Sequence, residues 1–115
     1  MAGFVYIMSN PAFADGRIKI GKSDRDPEDF RKAELSSSGV PEPFKVEYWA
    51  YVDNHHDIEK KVHHHFSQYR PNKNREFFTT SIPIAIDVIR ELSKSGILKE
   101  KVSFKSPEEI EKLRK

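Results

Sequence analysis

The chain opens with two short runs whose hydrophobic pattern suits strands. Phe4-Val5-Tyr6-Ile7-Met8 is β-branched and aromatic. Arg17 to Gly21 alternates polar and apolar residues, the pattern of a half-buried strand, and Gly21 is expected to end it. Ser9-Asn10-Pro11 and Asp15-Gly16 are turn signals at either end of the intervening loop. The stretch therefore predicts a β-hairpin with the Tyr6 hydroxyl on its first strand and the Lys19 ammonium on its second. Asp26-Pro27-Glu28-Asp29 then predicts a helix start. Asp26 can cap, Pro27 suits the first helical position, and the two acids complement the positive helix end. This helix is expected to reach about Leu35, with Phe30, Ala33 and Leu35 facing inward and Arg31 beside Phe30.

Val40-Pro41-Glu42-Pro43 reads as an extended linker, because two prolines so close fit neither a helix nor a central strand. Phe44 to Val52 is the strongest strand signal, alternating first and then continuously apolar, and it is expected to pair with the hairpin. Asp53-Asn54 should cap a helix from His55 to about Tyr69, with Ile58, Glu59, Val62, His63 and Phe66 on one face. Arg70 to Arg75 is a basic loop, and Glu76-Phe77-Phe78 suits a small strand. Ile82 to Leu92 predicts a third amphipathic helix, stopped by Gly96. Residues 97–115 carry many charges and few apolar groups, with a short exposed helix starting at Pro107. The expected organisation is one domain over residues 1–95 and a charged tail over 96–115.

Composition narrows this picture. The 115 residues suit one domain, and 37% hydrophobic residues suffice for one sheet covered by a few helices rather than two cores. The net charge is only +2, so affinity for nucleic acid would have to come from a local patch. Cysteine is absent, which excludes disulfides, thiolate metal sites and a cysteine nucleophile. No apolar run approaches a membrane span, and no basic segment followed by an apolar stretch opens the chain. A soluble, cytoplasmic protein without membrane contact is the expectation.

Most candidate residues carry little information singly. Tyr6 alone reads as a core-edge tyrosine, Lys19 as a solvent-facing strand lysine, Gly21 as a turn and Arg31 as a surface arginine. Glu59 stands out, because a carboxylate within an Ile58/Val62/Phe66 face is costly unless paired or bound to a cation. Two readings stand for it: a cation ligand, or a residue at the margin of the stripe that pairs with a lysine or with His63 one turn later. His63, His64 and His65 are consecutive, so their side chains diverge and cannot jointly hold one ion. The usual structural zinc spacings are absent and a histidine-based zinc site is not expected. Arg70, Lys73 and Arg75, with Tyr69, Phe77 and Phe78 nearby, have the composition of a phosphate-contacting loop, as a solvated loop also would.

Together these residues resemble the GIY-YIG nuclease superfamily, and more narrowly its phage-associated branch with Lys-Ile-Gly as second tripeptide. The matching residues are Phe4-Val5-Tyr6, Lys19-Ile20-Gly21, Arg31 in Phe30-Arg31-Lys32-Ala33-Glu34-Leu35, Glu59 with His63 and Phe66, and Arg70 with Arg75-Glu76-Phe77-Phe78. They fall in order over about residues 3–90. The resemblance implies an α/β (α+β) fold, a small three-stranded antiparallel sheet flanked by helices, in agreement with the β-β-α-β-α-α order read above. It implies metal-dependent hydrolysis of DNA phosphodiesters, or a nucleic-acid-binding module that has kept the fold and lost efficient cleavage. Carried over, Tyr6 would activate or position the attacking water and Arg31 would bind the scissile phosphate. Glu59 would hold a single Mg²⁺ or Mn²⁺ and His63 would support it. Lys19 stands where many members have tyrosine. It could bind a phosphate or, deprotonated, act as a base. Lys22, Arg70, Lys73 and Arg75 are the candidate DNA-contacting cations, and Gly21 would let the backbone approach the ligand. Asn72 is the nearest match to an asparagine that many members carry. Members often rely on a second DNA-binding domain, and none is recognisable in this chain. A homo-oligomer or a protein partner is therefore also an expectation.

Overall fold

The computed structural model describes residues 2–10, 16–29, 45–67 and 77–104. Its described strands are β1 (Gly3–Ser9), β2 (Ile18–Ser23), β3 (Lys45–Val52), β4 (Phe77–Phe78) and β5 (Ile97–Val102), with helices α1 (His55–His65) and α2 (Ile82–Ser93). All pairings are antiparallel and the strand order is β4-β2-β1-β3-β5. The α+β class holds, but the expected three-stranded sheet is corrected to five strands.

The two additional strands lie at the edges, where the sequence pattern is weakest. β4 has only two residues and extends β2 through Ile18 and Lys19. β5 begins the segment expected to be a charged tail. Its side chains are mostly exposed, so burial imposes no alternation on them, and it pairs with β3 from Tyr48 to Val52. β2 also runs two residues beyond Gly21, to Ser23.

Period-two alternation splits the apolar residues between the two faces of the sheet. Val5, Ile7, Ile18, Ile20, Tyr48, Ala50 and Val52 join Ile58, Val62 and Phe66 of the α1 region and Ala85, Ile86, Val88 and Ile89 of α2 in the main core. Each fully buried aliphatic side chain contributes about 1.5–3 kcal/mol. Tyr6, Met8, Val46 and Trp49 form a second cluster, with Phe4 and Tyr51 packed against it. The sheet thus buries apolar residues on both faces, against the expectation of a single core.

Local signals explain the helix starts. Asp26 Oδ1 accepts the Glu28 N–H at 2.9 Å and residues 27–29 are helical; the remainder of that expected helix lies outside the described residues. Ser81 caps α2 by accepting the Ile84 N–H at 3.3 Å. Asn54 occupies the cap position of α1 without a side-chain cap bond, and α1 ends at His65 rather than near Tyr69. The turn after α2 is made by Lys94, whose φ is 49°, and not by Gly96.

A network spans sheet and helix on the α side. The Tyr48 hydroxyl donates to Glu100 Oε2 at 2.6 Å, and Arg90 donates to both Glu100 oxygens at 3.0 and 3.2 Å. Burial, and then the Glu100 carboxylate, push the Tyr48 phenol well above its ordinary range. The Arg90 hydrogen bonds, followed by the Tyr48 one, hold the Glu100 carboxyl below the usual carboxylate value despite partial desolvation. No described helix is long and apolar enough to cross a membrane.

Candidate functional site

Tyr6 lies on the central strand and pairs with Gly21 of β2. The pairing is close. A Cβ built on Gly21 would sit 2.5 Å from the Tyr6 Oη and 2.6 Å from its Cζ. Only glycine leaves room for the ring to lie over the neighbouring strand. The approach expected at Gly21 for a ligand is made here by a side chain of the protein. Lys19, two residues back on β2, places its Nζ 5.9 Å from the centre of the Tyr6 ring, within cation–π reach. Tyr6 is 5% exposed and Lys19 half-buried. Lys22 is exposed on the same strand.

Glu59 and His63 lie one turn apart on α1, their side chains 14% and 13% exposed. The His63 ring packs on Phe78 of β4, with ring centres 5.0 Å apart. Its Nε2 lies 2.7 Å from the Ile20 carbonyl oxygen. A carbonyl only accepts, so Nε2 carries the proton, and in the neutral ring Nδ1 presents a lone pair. That lone pair faces Glu59 Oε1 at 4.0 Å, too far for a hydrogen bond. Two acceptors across this gap suit a water or a small cation between them. A hard cation held by one carboxylate and completed by waters fits Glu59; a closed protein cage does not.

The two pairs approach β2 from opposite faces of the sheet. By strand alternation Tyr6 and Lys19 occupy the face away from α1, whereas Ile20 joins the core beneath that helix. Among the described residues, β4 pairs only with Ile18 and Lys19. Beyond them the outer edge of β2 has no described strand partner, and the His63 ring binds there. Tyr6 with Lys19 and Glu59 with His63 thus lie on opposite faces of the sheet about β2, and the described residues do not bring the four together on one face. Arg31, Arg70, Asn72, Lys73 and Arg75 lie outside the described residues.

Two arrangements were not visible in the sequence. Glu47 is 6% exposed; it accepts from the Ser9 hydroxyl at 3.2 Å and lies 3.3 Å from the Lys45 ammonium. The β1–β3 register skips it, from Ile7↔Tyr48 to Met8↔Val46. A bulge thus turns a strand residue that simple alternation sends to solvent into a buried one. The second is Asp24, His55 and His56, whose ligand atoms all lie within 4.8 Å of one another. The nearness of His55 and His56 in sequence was the only hint of it.

A family model, the T5orf172 domain, matches residues 3–93. Nothing matches among the curated proteins or the solved structures.

Proposed function

The chain belongs to the T5orf172 domain family, and from that premise we propose that it is a metal-dependent DNA endonuclease of the GIY-YIG kind. The observation that carries this reading is the opposed pair of acceptors on α1, Glu59 Oε1 and His63 Nδ1, held at the edge of the strand that bears Lys19. Anchoring of His63 on the Ile20 carbonyl fixes both the tautomer and the direction of the ring. Glu59 would hold Mg²⁺ or Mn²⁺, which would supply charge neutralisation at the phosphate and assistance to the leaving oxygen.

The rest falls to the protein's own side chains. Tyr6, assigned from its motif, orients the attacking water through its hydroxyl, and packing on Gly21 holds its ring in place. Lys19 binds a phosphate oxygen as a point charge. Arg31, assigned from its motif, stabilises the charge that develops on the scissile phosphate. Lys22, Arg70, Lys73 and Arg75 contact the backbone of DNA, the proposed partner.

A second reading has one observation in its favour. Tyr6 is 95% buried on the sheet face opposite Glu59, which also suits a purely structural tyrosine in a DNA-binding module without efficient cleavage. Tyr6→Phe separates the two, because it keeps the ring over Gly21 and removes only the hydroxyl. Nicking of plasmid DNA in Mg²⁺ or Mn²⁺ is expected to fall by about 10²-fold, with duplex binding unchanged. A wild-type chain that binds DNA and never cuts duplex, branched or single-stranded substrates would leave the binding module.

A further inference from the structure

We propose that Asp24, His55 and His56 form a site for a zinc-class divalent cation, separate from Glu59. His55 is 1% exposed, and its ring lies so close over Gly3 that a Cβ there would be 2.5 Å away. The ring is therefore clamped between α1 and β1, and its Nε2 points at Asp24 Oδ1, 2.7 Å away. The other two donors are adaptable. The Asp24 side chain is 74% exposed and His56 is exposed at the start of α1.

Neighbouring helical residues ordinarily diverge, yet the His55 and His56 ring centres are 4.1 Å apart. In the first turn His55 is drawn under the helix onto the sheet, and the His56 ring lies against it. All three ligand atoms fall within 4.8 Å of one another. Bonds of about 2.0–2.2 Å to a tetrahedral ion would place its ligands roughly 3.3–3.6 Å apart, so the 2.7 Å His55–Asp24 pair has to open slightly while His56 swings in, movements that the exposed Asp24 and His56 side chains allow. Two imidazoles and one carboxylate suit Zn²⁺, Co²⁺ or Ni²⁺ far better than Mg²⁺. Three protein ligands also leave a position for water.

The simplest alternative is a His55–Asp24 hydrogen bond that ties α1 to the chain after β2. It explains those two residues and gives no role to the exposed imidazole beside them. The positive end of α1 opposes a cation only weakly, an effect small against ligation by three donors. A bound ion would fasten the start of α1 to both β1 and the segment after β2. Glu59 and His63 follow on the same helix, His63 about 12 Å further along its axis.

Calorimetric titration of the full, tag-free chain with ZnCl₂ tests this, with Co²⁺ absorption as the spectroscopic signature. One ion per chain and a raised Tm are expected. His56→Ala and Asp24→Ala, both at exposed positions, are expected to weaken binding at least about 10–100-fold and to remove the cobalt bands. The His64→Ala/His65→Ala pair should bind as the wild type does. Absence of one-to-one binding, binding unchanged in His56→Ala and Asp24→Ala, or binding lost in the controls would overturn the proposal.

Discussion

Gly21 and Tyr6 face each other across β2 and β1, and the glycine cannot take a side chain while the ring lies over it. A methyl group on Gly21 would lie 2.5 Å from the Tyr6 Oη, well inside contact distance. Gly21→Ala is expected to destabilise the chain by about 1–3 kcal/mol, the usual cost of overpacking. In a Tyr6→Ala background the same substitution should cost much less, and a double-mutant cycle in denaturant measures the difference. Equal costs in the two backgrounds would mean that the ring does not hold its place over the glycine. The sequence shows Tyr6 and Gly21 as separate motif residues. Their mutual dependence comes from the register Tyr6↔Gly21, which is a property of the pairing and not of either strand.

His63 shows a similar limit. Its spacing from Glu59 is legible as i and i+4, but its bond to the Ile20 carbonyl joins residues 43 positions apart. His55 and Gly3 are likewise remote in sequence, and packing alone brings them together.

Between elements, the Tyr48–Glu100–Arg90 network fastens β3, β5 and α2 to one another. Because folding lowers the Glu100 pKa, the stability it contributes is present above the unfolded value and is lost as pH falls through the folded one. Glu100→Gln should therefore lower Tm near pH 7, by a few degrees on the order of 4–8 °C per kcal/mol lost. The gap to wild type should close in acid, below the ordinary glutamate value of about 4.3. Tyr48 is shifted the other way, mainly by burial, so its contribution is complete below the ordinary tyrosine value of about 10 and fades at higher pH. Thermal melts of the two chains across pH measure both limbs. A constant difference between them would contradict the network.

The elements themselves were unevenly legible. The pattern gave β1, β3 and α2 nearly to their ends, because each has a long buried face. It fell short at β5, where Leu98 and Val102 are exposed and no face has to be buried. It overran at α1, whose helical periodicity continues in the sequence after the helix has ended at His65.

The assembled molecule distributes its candidate chemistry over both faces of the sheet about β2. Tyr6 and Lys19 lie on one face of the sheet, and Glu59 and His63 reach the edge of β2 from the other. The motifs were readable because each is short and local. Their distribution about β2 was not, because it depends on where α1 docks. Membership of the T5orf172 domain family, over residues 3–93, covers every one of these residues. The measurement that bears most directly on the proposed endonuclease is cleavage of labelled duplex DNA in Mn²⁺ by wild type and Glu59→Gln, with binding followed in parallel. The predicted result is metal-dependent cutting by the wild type that falls by at least about 10²–10³-fold in Glu59→Gln while DNA binding persists. Cleavage that survives Glu59→Gln, or proceeds equally well in EDTA, would contradict it.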